Sequence, residues 1–138
     1  MIKRYFRELY SDEVIARWRS AGHLATSSVA YAEALAAVHR KKREADLTDA
    51  LVQRVIEALN QDWQGFIRVE VNDDLNEHIV HLVETYPLRG FDAIHLASAR
   101  VIHEVMPRGF CFACFDRALL SAAQAEGMTT FPSLDTLE

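Results

Sequence analysis

The chain has 138 residues, half of them hydrophobic and a quarter charged, with a formal net charge of −5. That length suits one domain able to bury a core without disulfide support, and the balance is ordinary for a soluble globular protein. It contains no apolar run of about eighteen residues, which excludes a hydrophobic spanning helix, and it does not open on a secretion leader.

Cys111 and Cys114 lie three residues apart and cannot build a disulfide framework, so a reduced cytoplasmic protein is expected. The acidic balance argues against binding nucleic acid by bulk electrostatics alone. It leaves room for a nuclease, because a site that gathers metal-binding carboxylates is itself acidic. Basic residues bunch at Lys3 and Arg4 and again from Arg40 to Arg43. The second group suits a solvated helix C-terminus.

In chain order, Lys3–Leu9 reads as helical. Ser11, Asp12 and Glu13 open a helix with Val14, Ile15 and Trp18 on one side and Gly22 as its stop. His23 to Thr26 is a short strand candidate. It feeds a helix capped by Ser27 or Ser28 and running to about Arg43. From Thr48 to Asn60 the residues Leu51, Val52, Val55, Ile56 and Leu59 recur at helical spacing, so residues 35–60 predict a helical hairpin. Phe66–Val71 alternates and predicts a strand. Asn72 or Asp73 then caps a helix ended by Pro87, and a second helix starts near Asp92 and continues to Val105. The apolar run Phe110–Phe115 predicts a strand covered on both faces. Asp116–Glu126 predicts a helix stopped by Gly127, and Thr129–Phe131 a last strand. No repeat or Pro/Gly-rich linker divides the chain. Strands alternating with helices point to one α/β domain with a parallel sheet.

Three carboxylates stand out in this reading: Asp116 directly after a strand, Glu33 one to two turns into a helix that follows a strand, and Asp92 at the opening of a helix in the second half of the chain. Open parallel sheets place ligands beyond the strands' C-terminal ends, where helices begin. Carboxylates suit Mg²⁺ and Mn²⁺, and a cation so held activates water and clamps a phosphodiester. Each acid also has a plainer reading. Asp92 and Asp116 are good helix caps. Glu33 interrupts a small-residue apolar stretch, where a buried lone carboxylate is costly without a partner, but it could equally face water.

Val29-Ala30-Tyr31-Ala32-Glu33, then Arg89-Gly90-Phe91-Asp92-Ala93-Ile94-His95-Leu96-Ala97-Ser98-Ala99, then Phe115-Asp116-Arg117-Ala118-Leu119 resemble the successive motifs of the PIN domain. Within it the pattern is most similar to the VapC family of toxin ribonucleases. The resemblance spans essentially the whole chain. It implies a single PIN-like domain over residues 1–138, a three-layer α/β fold with a mostly parallel central sheet flanked by helices. It further implies a Mg²⁺-dependent (or Mn²⁺-dependent) endoribonuclease toxin of a bacterial toxin–antitoxin module, with Glu33, Asp92 and Asp116 as catalytic and metal-binding acids. RNA as substrate, a cognate antitoxin protein and a homodimer or higher oligomer follow from the same likeness. His95, one turn past Asp92, would lie beside the site, or serve as an ordinary packed histidine. Arg117 or the Arg40–Arg43 cluster would touch RNA phosphates.

One departure stands out. The family's fold begins with a central strand ending in an Asp, and this chain starts inside the helix that follows, with the first strand absent. Asp12 and Glu13 lie too far along to replace that acid. Three origins fit: a start codon assigned too late, a truncated relic held by a partner or a rearranged dimer, or another segment filling the slot. The loss implies a gap between the strands on the Glu33 and Asp116 sides, an exposed edge that favours oligomers, and weaker metal binding and turnover. The alternative function is therefore an inactive protein acting only by antitoxin binding or dimerisation. A third reading is an α/β phosphohydrolase with a small substrate. Cys111 and Cys114 lack a second pair, and His78 with His81 reads mainly as an exposed polar face, so neither makes a strong metal site.

Overall fold

The computed structural model describes residues 1–137 and divides the chain into two compact units, Met1–Arg68 and Val69–Glu138. The α/β expectation holds. The strands pair two by two, in two separate sheets.

The N-terminal unit opens with a single 3-10 turn, Ile2–Arg4, and then α1 (Ser11–Ser20). The expected helix over Lys3–Leu9 does not form beyond that turn. Ser11 holds the intervening chain in a different shape: its Oγ accepts from the Glu8 N–H at 2.8 Å and donates to the Phe6 carbonyl at 3.0 Å. Tyr10 adopts a left-handed φ of 71° just before α1. Such local side-chain bonds compete with helical ones.

Next come β1 (Ala25–Ser27), α2 (Ala30–Ala45), α3 (Asp49–Gln64) and β2 (Ile67–Val69). The Ile67 N–H donates to the Leu24 carbonyl at 2.8 Å, which starts the pairing of β2 with β1. The predicted hairpin is α2 and α3. Asp46 makes the corner with φ 49°, a conformation that Asp tolerates, and Thr48 accepts the Leu51 N–H as the cap of α3. Val38 packs with Val52 and Val55, surrounded by Ile2, Tyr5, Phe6, Leu47 and Ile56.

In the C-terminal unit, Asn72 caps a 3-10 turn (Asp73–Leu75) that runs into α4 (Asn76–Thr85). There follow α5 (Gly90–Val105), β3 (Phe112–Ala113), α6 (Arg117–Ala125) and β4 (Thr130–Phe131), then a 3-10 turn at Leu134–Thr136. Leu75, Leu82, Leu96, Ala97, Leu119, Ala122, Ala123 and Met128 form its core. β3 and β4 are parallel, with Phe112 opposite Thr130 and Ala113 opposite Phe131. The run Phe110–Phe115 was expected as a strand buried on both faces. Only two of its residues are strand, and Ala113 is exposed. Gly127, at φ 83°, ends α6 and lets the Met128 N–H return to the Ala123 carbonyl at 3.0 Å.

Candidate functional site

Asp116 follows β3 and is the N-cap of α6, its Oδ1 accepting the Leu119 N–H at 2.9 Å. Asp92 is the third residue of α5, and its Oδ2 accepts the Arg89 N–H at 3.2 Å. The plainer reading as an N-cap is correct for Asp116, whereas the N-cap of α5 is Arg89 and Asp92 completes its capping box from inside the first turn. Capping takes one oxygen of each carboxylate. The second oxygen of each accepts no hydrogen bond from another described residue.

Cys114 lies against the start of α6. Its Sγ accepts the Asp116 N–H at 3.2 Å. Burial, first, pushes the thiol's pKa up; the negative charges of Asp116 and of Asp92 push it further, against the Asp116 and Phe115 N–H groups that lower it. Both carboxylates belong to the C-terminal unit, Asp92 in the first turn of α5 and Asp116 at the start of α6. The sequence carried a signal for Cys114: it lies two residues before Asp116, and residues two apart in extended chain share a face.

Glu33 lies in the first turn of α2, on the N-terminal unit. Ala30, Ala34 and Val38 turn inward from this helix, and Glu33 is exposed. The argument that it is buried and must be compensated fails, because it stands on the flank that this apolar face leaves outside. Asp92 and Asp116 belong to the C-terminal unit, and Glu33 belongs to the other. His95 is partly buried, one turn beyond Asp92 and beside the buried Leu96 and Ala97.

Among the described residues no three His, Cys, Asp or Glu side chains form a ready metal cluster. The donor chemistry on the C-terminal unit nevertheless suits a hard divalent cation, since two carboxylates each keep an oxygen out of capping.

The expected phosphate contacts change. Arg117 donates from Nη1 to the Leu134 carbonyl at 3.3 Å and from Nη2 to the Leu137 carbonyl at 2.5 Å, so it holds the last turn of chain and is not free for RNA. In the second basic cluster Lys41 pairs with Glu8 and Lys42 with Asp49, and Arg40 and Arg43 are exposed. His81 and His78 face different partners, Glu126 at 2.9 Å and Glu104 at 3.9 Å. Cys111 and Cys114 form no disulfide among the described residues.

Residues 2–106 match the PIN domain, a span that includes Glu33 and Asp92 and ends before Asp116. Ribonuclease VapC45 and Ribonuclease VapC49, both of Mycobacterium tuberculosis, are each 30% identical to this chain over 132 residues. Each alignment covers 96% of the chain and 90% of the relative. The chain belongs to the PIN-domain family, and its likeness is to the VapC-type ribonucleases within it.

Proposed function

We propose that this PIN-domain chain is a divalent-metal-dependent endoribonuclease, the toxin of a toxin–antitoxin pair. Mg²⁺ is the cation, with Mn²⁺ able to replace it, and Asp92 and Asp116 hold it together with Glu33. The observation that carries the reading is that Asp92 and Asp116, at the starts of α5 and α6, each keep one carboxylate oxygen out of helix capping. Glu33 enters by its motif and its exposed carboxylate. The relatives' printed name, ribonuclease, supports the choice of substrate.

When bound, the cation would supply charge to polarise a phosphoryl oxygen and to acidify a water molecule. The chain's own residues do the rest. Arg89 N–H and Leu119 N–H each fix one carboxylate oxygen, so Asp92 and Asp116 are oriented before any ligand arrives. The N-termini of α5 and α6 bring partial positive charge beside Asp92 and Asp116 respectively, and a phosphate is well received at such an end. Without a cation two carboxylates would repel the RNA backbone, which makes substrate binding at the acids depend on the metal.

The same reading includes a cytoplasmic location, an antitoxin protein as partner and association into a homodimer. None of the described helices is long and apolar enough to cross a membrane. The test is Asp92→Asn, purified and assayed on single-stranded RNA with Mg²⁺. Cleavage should fall on the order of 100-fold or more while the unfolding midpoint stays near that of the parent. Unchanged cleavage would remove Asp92 from the machinery and the nuclease assignment with it.

A further inference from the structure

The N-terminal unit carries a chain of aromatic rings that the proposed chemistry does not use. Trp18 and Phe66 lie 5.4 Å apart between centroids, Phe66 and Trp63 5.7 Å, and Trp63 and Tyr31 5.2 Å. Both tryptophans of the sequence are in this chain of rings. None of the four belongs to the packed cluster around Val38, Val52 and Val55. Phe66 is buried at 8% exposure, whereas Trp18, Tyr31 and Trp63 each keep part of their surface in solvent.

Two guanidinium groups ride on these rings. That of Arg4 lies 5.2 Å from the Trp18 centroid and is already neutralised by Asp62 at 3.4 Å. That of Arg68 lies 5.8 Å from the Trp63 centroid, is exposed, and makes no ion pair among the described residues. At the other end of the array the Tyr31 hydroxyl donates to Asn60 Oδ1 at 2.7 Å, and the exposed Asn60 amide N–H groups make no hydrogen bond among the described residues.

Packing accounts for Phe66 and Trp18. It does not account for an uncompensated planar cation held over an indole in a chain of net charge −5, beside an exposed primary amide. Those groups match the needs of one unstacked nucleotide. A base stacks on an aromatic ring or a guanidinium plane, the guanidinium N–H groups reach phosphate, and an amide reads a base edge. We propose that Trp63, Tyr31, Arg68 and Asn60 form a stacking site for a base of single-stranded RNA on the N-terminal unit. The proposal rests on the ribonuclease reading for its ligand. It makes this unit the one that grips an unpaired strand by its bases, while Asp92 and Asp116 handle the phosphodiester. Duplex RNA, whose bases are already stacked, is excluded from such a site. Trp, Tyr and Arg also anchor protein interfaces, but those anchors sit in a desolvated apolar centre, and here the outermost group is an unneutralised charge.

The experiment uses the whole chain carrying Trp18→Phe, which leaves Trp63 as the sole tryptophan. Its fluorescence is titrated with a short single-stranded oligouridylate at low salt in EDTA, so that no cleavage occurs. The expected result is quenching of Trp63, an affinity about tenfold weaker in Arg68→Ala, and only partial recovery in Arg68→Lys, which keeps the charge and loses the plane. A duplex of equal length should quench little. No quenching by RNA, as for a patch that binds protein, overturns the proposal. So does unchanged affinity in Arg68→Ala, or full recovery by lysine. Failure here stays distinct from failure of the nuclease reading. If Asp92→Asn abolishes cleavage while Arg68→Ala binds normally, only the stacking site falls. If Asp92→Asn cleaves normally, the nuclease reading falls, and the titration still decides whether the strand binds at Trp63.

Discussion

Asp116 does two jobs that one substitution can separate. As the N-cap of α6 it satisfies the Leu119 N–H, and as a proposed metal ligand it contributes charge. Asparagine caps a helix as well as aspartate but is a far poorer ligand for a hard cation. Asp116→Asn should therefore keep the unfolding midpoint and lose Mg²⁺-dependent cleavage, whereas Asp116→Ala should also cost about 1 kcal/mol of stability in urea titrations. Equal cleavage by parent and Asn variant would reduce Asp116 to a cap. Glu126 poses the complementary question about pH. Its side chain is 11% exposed and accepts from the Tyr86 hydroxyl at 2.7 Å, the His81 ring at 2.9 Å and Arg100 Nε at 3.2 Å. Burial alone would raise its pKa, but Tyr86, His81 and Arg100 outweigh it and hold the carboxyl below the usual range. A depressed carboxylate stabilises the fold above the unfolded pKa, and the benefit fades as pH falls through the folded one. His81 is half in solvent, so water screens part of the gain. As pH falls from neutrality through and below the ordinary carboxylate range, the parent should progressively lose stability that Glu126→Gln already lacks at pH 7. Parallel stability curves for the two proteins would remove Glu126 as the titrating group.

Among the elements, the helices with a clear period and the positions of all four strands were legible in advance, and the strands' lengths, which pairing sets, were not. Val52, Val55 and Leu59 recur at spacings of three and four, and α3 buries those three. Thr48 caps it as its side chain predicts. By contrast Phe110–Phe115 has the composition of a buried strand, but strand length depends on a partner elsewhere in the chain, and β4 offers only two residues of register. Lys3–Leu9 has helix-forming residues, yet Ser11 and Tyr10 hold it as turns through contacts that no periodicity encodes. The site divides the same way. Asp92 and Asp116 were readable as acids at helix starts, while the exposure of Glu33 and the tether on Arg117 depend on how helix faces and chain ends pack. The packing that does hold the C-terminal unit centres on α4 and α5, where Leu82 is fully buried against the core that includes Leu96. Leu82→Ala should cost about 2–5 kcal/mol, read as a lower urea midpoint. A loss below about 1 kcal/mol would mean that this interface collapses around the vacancy or carries little of the stability.

For the molecule as a whole, charge is the property that couples fold to function. A chain of net charge −5 that acts on a polyanion needs a cation to mediate, and the same cation must act on stability. Mg²⁺ that binds the folded chain and not the unfolded one raises stability by about 2.7 kcal/mol when its concentration is 100 times the dissociation constant. The parent should therefore unfold at a higher temperature with saturating Mg²⁺ than in EDTA, and Ca²⁺ or Na⁺ at equal ionic strength should separate specific binding from screening. Asp92→Asn and Asp116→Asn should each lose most of that shift while folding normally in EDTA. Glu33→Gln is the most informative of the series, because Glu33 is exposed and lies on the N-terminal unit, apart in sequence from the unit that holds both aspartates. If Glu33 serves the same cation as the two aspartates, its variant loses the Mg²⁺ shift as they do. A Glu33→Gln protein stabilised as fully as the parent would leave the cation to the C-terminal unit alone and strike Glu33 from the ligand set.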